Sequence, residues 1–188
     1  MPIADELFAI FSEKGQSSYF GEPVSQLEHA LQAAHFARQD NALDHLVLAA
    51  LVHDIGHLVA DMPQNIADLG VDAKHEELGE RWLSRRFGSE VCEPVFLHVA
   101  AKRYLCATDR DYMSLLSPAS IQSLQLQGGP MSSSEIAAFE QTLYFYEAVR
   151  LRKWDDAAKV PDLETAGLES YRDLIQQASR PNIANRLP

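Results

Sequence analysis

Seven histidines punctuate this 188-residue chain, at positions 29, 35, 45, 53, 57, 75 and 98. The densest group is Leu51-Val52-His53-Asp54-Ile55-Gly56-His57, where two imidazoles and a carboxylate follow an almost wholly apolar run. Burying an ionised aspartate is costly unless it is paired or bound to metal. Adjacent His53 and Asp54 side chains can reach one cation at a helix end, with Gly56 letting the backbone tighten there. A four-residue spacing puts His53 and His57 on one face if the helix continues that far. A bare His-Asp pair is weak evidence by itself. Its weight comes from His29, His75, His98 and Asp155, each in a separate helical stretch, as when a helical bundle gathers ligands from facing helices. His35 on a helix flank and His45 beside an acidic turn read as surface or packing residues. Glu28 and Glu76 adjoin proposed ligands and read as solvated or supporting groups.

Those ligands need helices to position them, and 3.6-residue periodicity dominates the chain. Residues 3–14 carry an apolar stripe closed by Gly15. Pro23 is placed to open a helix over 24–39 at its first position. Residues 43–59 read as one central buried helix, 60–73 as a loop carrying one helical turn, and 74–88 and 89–106 as two further helices. Ser117-Pro118 caps a helix over 118–126. Residues 132–135 are a capping-box pattern for a long helix reaching Trp154. A last helix over 163–178 precedes a polar tail. No repeat and no convincing strand pattern interrupts this series, so the expected class is all-α. One domain over 1–188 is expected, with its metal core from about 19 to 155 and a C-terminal helix and tail over 160–188.

The formal net charge of −11 makes nucleic acid an unfavourable partner while leaving room for a small anion in a local cationic pocket. No apolar run is long enough to span a bilayer, and the acidic N-terminal stretch lacks the basic region of a signal peptide. A cytoplasmic location is the expectation. Cys92 and Cys106 read as two reduced thiols.

The order His29, His53-Asp54, His75, His98, Asp155 resembles the six-ligand arrangement of diiron HD-domain proteins, shared with myo-inositol oxygenase and with the HD oxygenases of phosphonate breakdown. The resemblance is closer to the latter, of the type that oxidises 2-amino-1-hydroxyethylphosphonate or its trimethylammonio counterpart. It rests on Tyr19-Phe20-Gly21-Glu22 with Gln26-Leu27-Glu28-His29, on His53–His57, on the stretch from His98 to Leu105, on Gln127-Gly128-Gly129-Pro130-Met131, and on Arg152-Lys153-Trp154-Asp155. It implies an HD-domain helical bundle holding a mixed-valent Fe(II)/Fe(III) pair, with O2 as co-substrate. His29, His53, Asp54 and Asp155 would hold one iron, and Asp54 would bridge to a second held by His75 and His98. Tyr19 and Glu22 match the family's active-site Tyr and Glu. Lys102, His57 and Ser120 match its phosphonate-binding residues, with Ser123 and Gln127 as further candidates. A protonated His57 and Lys102 would supply positive charge for a phosphonate dianion. Without the resemblance, Lys102 reads as a solvated lysine and Ser120 as a hydroxyl bonded within its own helix. The implied reaction is oxidative cleavage of a C–P bond, giving orthophosphate and glycine or glycine betaine. Two other readings use the same residues: a metal-dependent phosphohydrolase, and a signalling domain that has lost its ligands. Tyr19 and Glu22 weigh against the first and the full ligand set against the second.

Overall fold

The computed structural model describes residues 1–60 and 69–180. Among them the chain is helical throughout, the pairing of extended backbone being confined to two isolated bridges, Ser18 with Ser25 and Phe87 with Ser179. The helices are α1 (Ile3–Lys14), α2 (Gln26–Gln39), α3 (Asp44–Val52), α4 (Ile55–Val59), α5 (His75–Leu83), α6 (Ser89–Thr108), α7 (Tyr112–Leu115), α8 (Pro118–Leu126), α9 (Ser133–Phe139), α10 (Phe145–Ala157) and α11 (Arg172–Ala178), the last preceded by a 3-10 turn over Leu168–Tyr171.

The apolar run Leu46–Val52 makes α3 the axis of the core, every one of these residues being buried. α2, α6 and α10 pack around it, α5 lies against α4 and α6, and α1 and α11 close the remaining side. The stripe of α1 buries Ala4, Leu7 and Phe11, and Tyr171 and Ile175 seal the far edge. Burying an aliphatic or aromatic side chain stabilises the fold by about 1.5–3 kcal/mol. These helices therefore form a stiff frame for whatever polar groups they enclose.

Five departures from the sequence reading follow from local contacts. Residues 43–59 are two helices, because Asp54 adopts φ −99° and ψ 12° and breaks the run after Val52. His53 and His57 thus belong to different segments, and the shared helix face expected of them does not form. α2 starts at Gln26 because Ser25 and Glu28 make a reciprocal capping box, a stronger start signal than Pro23. The helix capped by Ser132 ends at Phe139, where Phe139, Phe145 and Tyr104 pack edge to face and turn the chain into α10. The helix expected over 74–88 is limited to His75–Leu83, and that over 163–178 starts only at Leu168, as a 3-10 turn. Of the loop 60–73 and the polar tail, residues 61–68 and 181–188 lie outside the described residues. No described helix is long and apolar enough to cross a membrane.

Candidate metal centre

The break after Val52 points His53 and Asp54 into the space between α2, α5, α6 and α10. α2 supplies His29, α5 begins at His75, α6 supplies His98, and α10 supplies Asp155 near its C-terminal end. All six are buried. Gly56 makes this convergence sterically feasible, since a Cβ there would stand 2.0 Å from the His75 carbonyl oxygen. The glycine therefore serves close approach of α4 to the head of α5, and Lys74, in the left-handed region at φ 48°, starts that helix.

Asp54 sits at the centre with its two oxygens facing different histidine pairs. Oδ2 lies 3.6 Å from His29 Nε2 and 3.4 Å from His53 Nε2. Oδ1 lies 3.3 Å from His75 Nε2 and 3.6 Å from His98 Nε2. Asp155 Oδ1 joins the first pair, 3.3 Å from His29 Nε2 and 3.7 Å from His53 Nε2.

The donor set fits metal ions on its own chemistry. His29 Nδ1 donates to the Ala158 carbonyl (2.8 Å), His53 Nδ1 to Ala50 (2.9 Å) and His98 Nδ1 to Val95 (2.5 Å). Those bonds leave the Nε2 lone pairs pointing inward. Yet His29 Nε2 stands 3.1 Å from His53 Nε2, and His75 Nε2 stands 3.0 Å from His98 Nε2. At the first contact the facing lone pairs call for a shared proton or a metal cation between them, and the second contact suits either a metal cation or a His75 Nε2–H donated to His98. Asp155 Oδ1 is buried with no hydrogen-bond partner among the described residues, a cost that coordination removes. His29, His53 and Asp54 bring ligand atoms within 4.8 Å of one another, and so do Asp54, His75 and His98.

The charges agree. Burial alone would raise the Asp54 carboxyl, but the surrounding imidazoles, His53 foremost, hold it well below the usual carboxylate range. Burial opposes a charge on His53, yet Asp54 and Asp155 outweigh it and push the imidazole up to about 10. The site thus demands positive charge, which a proton or a metal cation supplies. Burial pushes His98 down to about 4 and His75 well below its ordinary range, keeping both neutral as ligands must be. Nitrogen and carboxylate donors without a thiolate suit iron, manganese or zinc in an open catalytic site.

A cavity of about 350 Å³ opens against this cluster, lined on the metal side by Asp54, His75, His98 and Asp155. The other sequence-predicted residues converge on it too, since Tyr19, Glu22, His57, Lys102, Ser120, Ser123 and Gln127 all line its walls. Tyr19 donates to Asp54 Oδ2 at 2.8 Å and stacks on His29 at 3.7 Å between ring centroids. Burial first, then Asp54 and Asp155, hold its phenol protonated far above the usual range. Phe20 (φ 47°) and Gly21 (φ 78°) turn the chain tightly enough to return Glu22 to the wall. Lys102, one helical turn beyond His98, is buried and donates to Ser123 Oγ at 2.7 Å. Burial pushes its amine down to about 7, with Arg152 adding to the effect. Gln127 presents a buried Oε1 with no hydrogen-bond partner among the described residues.

One electrostatic expectation is corrected. His57 stacks on His75 at 4.1 Å and meets the edge of Phe20, and burial pushes its imidazole below the ordinary range. At neutral pH it is a neutral hydrogen-bonding group, not the cation expected of it. His35, bonded to Gln39, and the half-buried His45 stay outside the cluster. Glu28 is the exposed cap of α2, and Glu76 Oε2 lies 3.5 Å from His75 Nδ1.

Sequence reasoning assigned no role to Arg152, Asp156, Tyr112 or Lys159. Arg152 Nη1 holds the second oxygen of Asp155 at 2.8 Å, while Asp156 and Tyr112 hold its guanidinium from behind. The Arg152-Asp155-Asp156 spacing of three and four was the available signal. Lys159, past the end of α10, carried none.

The HD domain family matches residues 26–130. The chain is 47% identical over 171 residues to hydroxymethylphosphonate dioxygenase of Gimesia maris, spanning 90% of this chain and 85% of the relative. It is 40% identical over 175 residues to the glycine-betaine-forming [1-hydroxy-2-(trimethylamino)ethyl]phosphonate dioxygenase of Leisingera caerulea, spanning 93% of this chain and 89% of the relative. The chain belongs to the HD-domain family. The all-α bundle expected of an HD domain is the fold observed.

Proposed function

We propose that this chain is a single-domain diiron oxygenase that cleaves the C–P bond of a 1-hydroxyalkylphosphonate. The observation that carries the reading is Asp54, whose two oxygens face two separate histidine pairs at the floor of a cavity walled by Lys102, Ser120 and Ser123. The names of the two relatives, both phosphonate dioxygenases, support it. His29, His53, Asp54 and Asp155 hold one iron, and Asp54, His75 and His98 hold the other, in a mixed-valent Fe(II)/Fe(III) pair. When bound, the pair supplies Lewis-acid binding of the substrate oxygens and one-electron chemistry with O2.

The protein's own groups bind, orient and exclude water. Lys102, Ser120, Ser123, Gln127 and a neutral His57 receive the phosphonate oxygens and bring the C1 hydroxyl against the metal floor. Tyr19 borders the metal floor and Glu22 lines the cavity beside it, and the phenol stays a donor to Asp54 because burial holds its proton. The overall change balances without another reductant: R–CH(OH)–PO3(2−) and one O2 give R–COOH and HPO4(2−). The acid is glycine or glycine betaine for an aminomethyl or trimethylammoniomethyl R, and formate when R is hydrogen.

The test is incubation of iron-loaded protein with hydroxymethylphosphonate and with the 2-amino and 2-trimethylammonio substrates, with and without oxygen. The reading predicts phosphate from at least one of them only when oxygen is present. Phosphate released without oxygen, or by the zinc-loaded protein, would identify a hydrolase and refute it.

A further inference from the structure

We propose that Glu76 is the positioning residue of His75: its buried carboxylate takes the Nδ1 proton of that ring and so keeps Nε2 free for a metal ion. The inference rests on the two-metal centre of the function proposed above, and it places a charged residue behind one ligand only.

An imidazole that binds a cation through Nε2 carries its proton on Nδ1, and that proton needs an acceptor. His53 and His98 find theirs in the main-chain carbonyls of Ala50 and Val95, three residues back in the same run of helix. His29 uses the Ala158 carbonyl. His75 has no such choice, because it is the first residue of α5 and no helical turn precedes it. Among the described residues its Nδ1 makes no hydrogen bond; the group on that edge of the ring is Glu76 Oε2, 3.5 Å away. Glu76 Oε2 is itself buried without a hydrogen-bond partner among the described residues. A donor position and an acceptor thus face each other, and each is costly to leave unpaired.

The separation of 3.5 Å is too long for a hydrogen bond, as suits a ring free to carry its proton on Nε2 toward His98, 3.0 Å away. With a cation on Nε2 the proton must sit on Nδ1, where Glu76 is the acceptor. His57, stacked on His75 at 4.1 Å and 18°, restricts the ring plane so that this edge stays turned to the carboxylate. Acids in the first turn also complement a helix dipole, but Glu77 does that from the surface, paired with Lys74 at 3.0 Å. The Glu76 side chain is 13% exposed against 44% for Glu77. A carboxylate is a stronger acceptor than a carbonyl, so His75 becomes the most basic of the four histidines. The ion proposed for Asp54, His75 and His98 therefore depends on Glu76, and the one proposed for His29, His53 and Asp155 does not.

Metal binding tests this without turnover. Metal-depleted protein is titrated anaerobically with Fe(II) by calorimetry, for wild type, Glu76→Ala, Glu76→Gln and, as a control that removes the neighbouring first-turn charge, Glu77→Gln. Loss of the partner behind a ligating histidine costs about 10- to 100-fold in metal affinity. Glu76→Ala is expected to weaken one of two ions by that factor and leave the other unchanged. Glu76→Gln keeps a neutral acceptor and is expected to lose less, and Glu77→Gln to change neither ion. Proton NMR of the Co(II)-loaded protein reads the bond itself, since ring N–H protons of ligating histidines are shifted far outside the ordinary range. One such exchangeable signal is expected to move or vanish into solvent exchange in Glu76→Ala while the rest stay. Wild-type affinity for both ions in Glu76→Ala, equal weakening of both, or an unchanged set of N–H signals overturns the proposal. If Glu76→Ala does not fold, unchanged affinity and signals in Glu76→Gln overturn it. Glu76-dependent binding of one ion by a protein that releases no phosphate with oxygen upholds the proposal and overturns the oxygenase reading instead.

Discussion

Gly56→Ala is the smallest change that separates the two halves of the metal centre. The added methyl would stand 2.0 Å from the His75 carbonyl oxygen, 2.8 Å from the carbonyl carbon and 2.9 Å from Gly79 N. All three are backbone atoms, so no side chain can swing aside to relieve the contact. Restoring an ordinary separation of roughly 3.5 Å requires α4 and the head of α5 to part by about 1.5 Å. Metal-ligand distances tolerate only about 0.2 Å, so His75 is carried out of range. The ion proposed for Asp54, His75 and His98 is expected to be lost first, because His29, His53 and Asp155 come from elements that position 56 does not touch. Overpacking of this kind costs about 1–3 kcal/mol of stability. Iron per chain, measured after loading and desalting, is expected to fall from two toward one, and the urea midpoint is expected to drop with an unchanged slope. A Gly56→Ala protein that keeps two ions and the wild-type midpoint would refute the role given to this close approach.

Other outcomes follow from the same geometry. Asp155→Asn removes a proposed ligand and leaves Arg152 with one buried counter-charge fewer; loss of one iron and about 3–5 kcal/mol of stability, the latter read from urea unfolding, is expected. Tyr19→Phe deletes the 2.8 Å bond to Asp54, so the visible and electron-paramagnetic spectra of the loaded protein should shift while iron per chain stays constant. The Lys102 amine is pushed down to about 7 by burial, so its charge is present below that pH and lost above it. The KM for the phosphonate is therefore expected to rise as pH increases through about 7 in wild type, whereas Lys102→Met shows a higher KM from which this rise is missing.

The convergence of these histidines and aspartates was legible because they are of unusual type for their surroundings: imidazoles and carboxylates inside apolar helical runs stand out when helices are expected to be sealed by alkyl groups. The all-α class and the caps at Ser117 and Ser132 were legible for the same local reasons. What was hidden depends on tertiary contact. Asp54 and Gly56 are turn-forming types, but the apolar residues on both sides continue a helical pattern; the break is stabilised by the approach of α5 across Gly56, which sequence does not display. The end of α9 at Phe139 is set by aromatic packing with Tyr104 and Phe145, partners distant in sequence or beyond the turn. The charge of His57 was misread because its burial against His75 and Phe20 comes from three separate segments. Lys159 was invisible as a cavity-lining residue, since only the bonds of Gln32 to Val160 and of His29 to Ala158 give it a direction.

The claim on which everything rests is that Asp54 bridges two metal ions. X-ray absorption on the iron-loaded protein, with iron counted per chain, tests it directly. The expected result is two irons per chain and a metal-metal separation of about 3.5–4 Å that disappears in Asp54→Ala. A single iron per chain in fully loaded wild type, or two irons with no metal-metal scattering, would contradict the account.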